Sequence, residues 1–148
     1  MTQIVMHPKL YDRDFVAWCE ETVAKLKTGR LSEIDIDNLI EEIEGLAGRD
    51  RRELKNRLRV LISHLLKRIY VKSSDDYRGW ELTIREQRRQ IQDLLEQSPS
   101  LGNYLIQVFP NCWEEALAEV REDYPQVQFP DEWMFSRDIE VLLTEKFW

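Results

Sequence analysis

A run of apolar residues at helical spacing from Ile36 to Ile69 constrains this chain more than any other feature. Residues three or four apart lie on one face of an α-helix, so the run predicts one long helix over about residues 37–71. At 1.5 Å per residue, such a helix is roughly 50 Å long. Gly45 and Gly48 do not shift the phase of the pattern. The sequence leaves open whether the helix bends at these glycines.

Further helices are predicted on both sides of this one. Amphipathic spacing places them over about residues 12–28, 77–97, 99–108, 110–124 and 136–147. The expected helix starts are Asp12, Ser98 with Pro99, Pro110, and Ser136, and the expected stop of the first helix is Gly29. We expect the first helix to bury one face, formed by Phe15, Trp18, Cys19, Thr22, Val23 and Leu26.

These elements predict an all-α fold, an irregular bundle of about six helices built on a long antiparallel hairpin of residues 37–97. We expect one domain over residues 1–148. It includes an N-terminal arm at residues 1–10, whose His7 receives no role. Prolines at 125 and 130 exclude a regular helix between them, so residues 125–135 are expected to be extended over the core.

Composition narrows the cellular setting and the kinds of partner. Two distant cysteines are typical of a reducing compartment, and the N-terminus lacks the basic start and apolar stretch of a signal peptide. No stretch approaches the roughly 20 apolar residues of a membrane span. We therefore expect a cytoplasmic protein that does not interact with a membrane. The net charge of −7 is unevenly distributed: residues 1–48 carry −5, residues 49–90 carry +7, and residues 91–148 carry −9.

Polar side chains on the predicted hairpin are the main candidates for chemistry. Glu41, Glu42 and Glu44 precede His64 by about six helical turns, and carboxylates with histidine can bind a metal inside a helical bundle. The Glu-x-x-His pair of di-iron proteins is missing, however, and apolar residues stand three and four positions before His64. A half-buried histidine with one hydrogen-bond partner is therefore the favoured interpretation, and no metal or other cofactor is assigned.

The basic middle of the chain supplies candidate phosphate ligands. Arg51, Arg52 and Lys55 belong to a cationic run that could contact phosphates. No known nucleic-acid-binding motif accompanies them, and the sequence pI is about 5.0. Ion pairing with neighbouring carboxylates is the preferred explanation, so the sequence argues against nucleic acid as the partner.

Six motifs together resemble the bacterial "domain of unknown function twenty-nine" family, which is common in cyanobacteria. They are Tyr11-Asp-Arg-Asp-Phe15 with Trp18, Asp37-Asn-Leu-Ile-Glu-Glu-Ile-Glu44, His64-Leu-Leu-Lys67, Trp80, Thr83-Ile-Arg-Glu-Gln-Arg88 and Ser98-Pro-Ser-Leu101. The resemblance covers nearly the whole chain and implies a small all-helical protein without an established activity. It maps the family's polar positions onto Glu41, Glu42, Glu44, His64, Lys67, Arg85, Gln87 and Arg88. Gly79 and Arg68 depart from the family pattern, which usually has Ser and an aromatic residue there.

Three hypotheses for function follow from the sequence. The leading one is a non-enzymatic interaction protein, whose partner is another protein or a second copy, because no catalytic signature is present, charge is segregated, and Phe147 and Trp148 lie at the chain end. The second is a metal-dependent hydrolase or nuclease-like enzyme that uses Glu41, Glu44 and His64. The third is nucleic-acid binding through the basic hairpin. Whether the chain is an enzyme stays open at this point.

Overall fold

A computed structural model describes residues 9–148, and this part of the chain contains helices and no strand. The helices are α1 (Leu10–Arg13), α2 (Phe15–Lys27), α3 (Ile36–Tyr70), α4 (Ser74–Gln97), α5 (Leu101–Asp123) and α6 (Ile139–Thr144), with a 3-10 turn at Leu31–Glu33. The predicted all-α class with six helices is confirmed. Most of the N-terminal arm, residues 1–8 with His7, lies outside the described residues.

The chain divides into two compact units, one ending at Ala47 and the other comprising Gly48–Trp148. The boundary falls within α3, which is assigned as one helix through Gly45 and Gly48. The long helix predicted from the apolar run is therefore present. A single domain over the whole chain stays a prediction.

The start of the first unit differs from the prediction in its N-cap residue and in the number of helices. Asp14, not Asp12, is the N-cap of α2, because its carboxylate accepts a hydrogen bond of 3.0 Å from the backbone N–H of Ala17. The extended backbone at Asp14 separates α1 from α2, so one predicted helix is two. Gly29 has a φ of 72°, as expected for a left-handed helix stop.

The second unit contains the main hydrophobic core. The buried face of α3, including Leu54, Leu58, Leu61 and Leu65, packs with α4, α5 and α6. Two pairs of side chains join α3 to α4 in antiparallel order: Arg57 contacts Gln87, and Arg68 contacts Glu81 nearer the turn. The predicted antiparallel hairpin is thus confirmed.

Helix α5 runs through Pro110, where the sequence predicted a new helix. Proline removes one backbone hydrogen bond from a helix interior, but Pro110 lies on the exposed side of α5. The buried residues Leu105, Phe109, Cys112 and Trp113 keep one helical phase across it. Burial of that continuous face outweighs the local preference of proline. The Ser98-Pro99 pair forms a turn, and α5 begins only at Leu101.

Residues 124–138 contain no helix and follow the surface of the second unit. Trp133 anchors them, because its indole N–H donates to the carbonyl of Ser136 at 3.1 Å and its ring lies 6.0–6.2 Å from those of Trp113 and Phe109. Asp138, not Ser136, caps α6. That helix ends at Thr144, well before the chain end predicted for it.

Candidate functional site

The three candidate glutamates lie on the first turns of α3, within the first unit. Glu42 accepts a hydrogen bond from the hydroxyl of Tyr11. This bond, followed by partial loss of solvent and the negative charge of Glu42 and Glu41, raises the pKa of Tyr11 to about 12. Glu42 therefore holds the segment before α2 against α3. Glu41 and Glu44 are exposed and make no ion pair with any described residue.

His64 is half-buried on α3 in the second unit, and its Nδ1 donates to the backbone carbonyl of Val60 at 2.8 Å. Burial lowers the pKa of His64, with a further contribution from the positive charge of Lys67. A neutral imidazole that uses Nδ1 as a donor leaves an unprotonated Nε2. The imidazole of His64 is thus hydrogen-bonded to a carbonyl of its own helix.

Gln87 connects the two hairpin helices of the second unit. Its side-chain oxygen accepts from Nη1 of Arg57 at 3.2 Å, and Nε of the same arginine donates to Glu53 at 2.9 Å. The planar guanidinium is well suited to hold two acceptors on neighbouring helices at once. Gln87 therefore helps to align α4 on α3.

Arg88 anchors the C-terminal segment to α4. Its Nε donates to the carbonyl of Leu142 at 3.1 Å and its Nη2 to that of Glu145 at 2.6 Å, and its guanidinium carbon lies 5.8 Å from the ring centroid of Phe147. Leu142 belongs to the last turn of α6, where carbonyl groups lack helical partners and favour a cation. Burial lowers the pKa of Arg88. Arg88 therefore caps the carbonyl groups at the C-terminal end of α6.

Arg85 and Lys67 are less engaged. Arg85 is exposed and lines a cavity of about 460 Å³ with Arg88, Arg89 and Trp148. Lys67 is half-buried beside His64. Neither makes an ion pair with a residue in the range 9–148.

Sequence reasoning missed the neighbourhood of Arg68, which pairs with Glu81 at 3.1 Å. Its guanidinium also lies 3.8 Å from the ring centroid of Tyr77 and 5.2 Å from that of Trp148. Phe147 and Trp148 are half-buried against the core. The chain-end aromatics therefore pack in the second unit and are not free side chains for a partner. They no longer support the interaction hypothesis.

The candidate phosphate ligands lie together on α3. Arg51 and Arg52 are exposed, and Lys55 is half-buried. None of the three is within 4.0 Å of a carboxylate among the residues that the structure describes, so the preferred explanation of ion pairing does not apply to them. Arg57 and Arg59 are paired instead, with Glu53 and Glu119 at 2.9 and 2.8 Å.

The described residues include no group of three or more His, Cys, Asp and Glu side chains placed to hold a metal ion. Glu41, Glu42 and Glu44 belong to the first unit, while the other polar candidates belong to the second. Cys112 is buried and its thiol contacts the backbone oxygen of Lys55 at 3.5 Å. Burial raises the pKa of this thiol to about 11, so it is protonated at neutral pH.

The largest departure from expectation is a set of exposed apolar side chains in the first unit, which we call the N-terminal apolar surface. Each member has an exposed fraction of 46 to 65%. The members are Phe15, Val16, Val23, Leu26, Leu31, Ile36, Ile40, Ile43 and Leu46. The prediction that α2 buries its whole apolar face is therefore wrong: of that face, only Trp18 and Thr22 are buried.

Comparison with known families adds one match: a family model described as "Domain of unknown function DUF29" matches residues 10–148. The chain belongs to this family. This match confirms the family resemblance that the six motifs indicated, over nearly the whole length of this DUF29 chain. No curated protein and no solved structure matches it. Within residues 9–148, no helix has both the length and the apolar character needed to cross a membrane.

Proposed function

We propose that this DUF29 chain is a cytoplasmic, non-enzymatic interaction protein that binds its partner through the N-terminal apolar surface. The observation that carries the proposal is the concentration of half-exposed apolar side chains in residues 9–47, the described part of the first unit. Nine of the twelve large apolar side chains that are exposed in the described chain belong to this unit. Scattered exposed apolar residues are ordinary, whereas a dense group is typical of a protein contact.

The polar candidates support a structural role more than a catalytic one. Glu42 is bonded to Tyr11, Gln87 to Arg57, and Arg88 to the carbonyl groups at the end of α6. Each of these side chains joins two segments of the fold. Such links explain why polar residues occur at these positions without requiring a substrate.

The proposal is tested by capture of binding partners on immobilised protein, with Ile40→Glu as the disrupting variant. Ile40 is 48% exposed in the first unit, so glutamate there is compatible with folding but unfavourable in an apolar contact. Ile106→Glu is the matched control, because Ile106 is 58% exposed on α5 in the second unit. Partners, including further copies of the chain, should be retained by the wild type and the control and lost from Ile40→Glu. Equal retention by all three proteins would contradict the proposal.

The hydrolase alternative makes a separate prediction. A metal-dependent phosphodiesterase activity that disappears in His64→Asn, with the helix content of the variant unchanged, would replace the interaction proposal. A metal-independent background that is the same in both proteins would leave the alternative without support.

Phosphate binding through Arg51, Arg52 and Lys55 is a second candidate, favoured by the lack of ion pairs at these cations within residues 9–148. The test is fluorescence anisotropy with labelled duplex DNA at low salt. Affinity that falls as salt rises, and that is lost when all three residues are changed to glutamine, would support it. No binding at low salt would remove this candidate.

A further inference from the structure

Eight of the nine members of the N-terminal apolar surface lie on α2 and α3, and Leu31 lies in the 3-10 turn between these two helices. On α3 its members Ile36, Ile40, Ile43 and Leu46 recur at spacings of four, three and three residues, which place them on one helical face. On α2, Phe15, Val23 and Leu26 lie within a stripe of about 100°. Tyr11 on α1 links these two helices into a hairpin, because its hydroxyl donates to Glu42 on α3 and its ring centroid lies 4.8 Å from that of Trp18 on α2.

The hairpin buries little by itself. Among the described residues of the first unit, only Trp18, Thr22 and Ile34 are buried. Two helices form a single layer, and a stable apolar core needs a second layer to cover the exposed face. In the described part of the first unit, residues 9–47, the other helical segments are α1 and the 3-10 turn, and these four- and three-residue segments are too short to cover it.

We propose that a second copy of this chain covers the N-terminal apolar surface, so that two α2–α3 hairpins pack face to face as a four-helix bundle. This inference rests on the proposed interaction function and names its partner. In a two-fold symmetric dimer the same surface serves both copies, so a two-helix apolar face meets an identical two-helix face.

The area of the surface fits a stable dimer. Nine side chains that are about half exposed contribute roughly 90 Å² each, or roughly 800 Å² per copy, which equals the typical contribution of one partner to a standard interface. A single docked helix would cover a narrower strip than these two helices expose.

Charge provides a way to distinguish this partner from a basic one. Residues 1–47 contain five Lys and Arg residues and ten Asp and Glu residues, a net charge of −5. Two such units repel one another, and salt screens repulsion between exposed charges. A dimer held by apolar contact therefore tightens as salt is added, whereas a complex with a basic partner weakens.

The experiment measures the mass of the full chain by sedimentation equilibrium over a range of concentrations and salt. The wild type should reach twice the 17.8 kDa chain mass, with a lower dissociation constant at high salt. Ile43→Glu should raise the dissociation constant by at least about 100-fold, because each dimer contains the substituted side chain twice. Ile106→Glu is the matched control, since Ile43 and Ile106 are both 58% exposed on helices, and it should dimerise as the wild type does. Far-UV circular dichroism verifies that each variant is folded, and Ile40→Ser provides a milder second variant.

Three results would overturn the inference. The first is a wild type that stays at 17.8 kDa at roughly 100 μM, a concentration at which even weak dimers form. The second is a dimer that Ile43→Glu and Ile106→Glu weaken equally, because it would use another surface. The third is a dimer that dissociates as salt rises. If the wild type is monomeric but the capture experiment shows a different partner that depends on Ile40, the proposed function survives with another partner. If neither association depends on this surface, both proposals fail.

Discussion

Replacing Pro110 with alanine should stabilise the protein, because α5 continues through this position. Alanine restores the backbone N–H that can donate to the carbonyl of Ile106, four residues earlier. It also removes the contact between the proline ring and that carbonyl. Pro110 is exposed, so its loss should not open a cavity in the core.

The magnitude follows from two opposing effects. Proline in a helix interior is about 3 kcal/mol less favourable than alanine. Alanine gives the unfolded chain more freedom, which removes about 0.4–1 kcal/mol of that gain. The free energy of unfolding should therefore rise by about 2 kcal/mol, and the midpoint of thermal unfolding by about 6 °C for a chain of this length.

The measurement is urea and thermal unfolding followed by circular dichroism at 222 nm. Pro125→Ala is the control. Pro125 lies in the segment without helix, so an alanine there restores no helical hydrogen bond. This control should lose up to about 1 kcal/mol through the freer unfolded chain. If Pro110→Ala is instead neutral or destabilising, a helix begins at Pro110 in solution, as the local sequence predicts, and the continuous α5 is refuted.

Three further predictions concern the polar and thiol groups. Arg88→Met should lower the free energy of unfolding, measured by urea titration, by about 2 kcal/mol, since two charge-assisted bonds to carbonyl groups are lost. The control Arg85→Met changes an exposed side chain and should alter this free energy by less than about 0.5 kcal/mol. Equal effects of the two substitutions would contradict the anchoring role of Arg88. Because burial lowers the pKa of folded His64 below its ordinary 6.5, the unfolded chain binds the proton more readily, so the stability contributed by neutral His64 is complete above pH 6.5 and is lost as pH falls. The urea midpoint should drop between roughly pH 7.5 and 5 by less in His64→Asn than in the wild type, and an identical drop would exclude His64 as the cause. Burial raises the pKa of the Cys112 thiol to about 11, so this thiol should react with a disulfide reagent only after unfolding. The Cys19→Ser variant has Cys112 as its single thiol, so its labelling rate reports on Cys112 alone. Fast labelling of this variant in native buffer would contradict the prediction.

Much of the fold follows directly from local patterns. The apolar spacing from Ile36 to Ile69 predicts a single helix, and α3 spans Ile36–Tyr70. The short connection after it predicts an antiparallel neighbour, which the Arg57–Gln87 and Arg68–Glu81 contacts confirm. These features are predictable because helical phase and loop length constrain neighbours within a few residues.

The errors occur where a local preference competes with distant packing. Pro110 is a good first residue of a helix, yet the common buried face of Phe109, Cys112 and Trp113 continues the helix across it. Asp12 and Asp14 are both suitable caps, and only the observed bond to Ala17 selects Asp14. A cap contributes about 1 kcal/mol, and proline in a helix interior costs about 3 kcal/mol. Both are smaller than the free energy of burying several large side chains.

At the candidate site, too, the sequence identified residues but not their partners. The sequence identified Gln87 and Arg88 as polar residues of interest, but their partners, Arg57 and the carbonyl groups of Leu142 and Glu145, lie up to 57 residues away in the chain. No local pattern contains that information. The role of Arg68 between Tyr77 and Trp148 was missed for the same reason.

By itself, the sequence determined the all-α class, the long α3 with its antiparallel partner, the helix stop at Gly29 and the family to which the chain belongs. Only the tertiary structure decided which predicted apolar faces are covered: the face of α3 that includes Leu54 and Leu58 is buried in the second unit, while Ile36, Ile40 and Ile43 on the same helix are exposed in the first. Periodicity reports that a helix has an apolar face, because it depends on residues three or four apart. Whether that face meets another helix, a second copy or solvent depends on contacts between segments distant in sequence, which only the folded chain brings together.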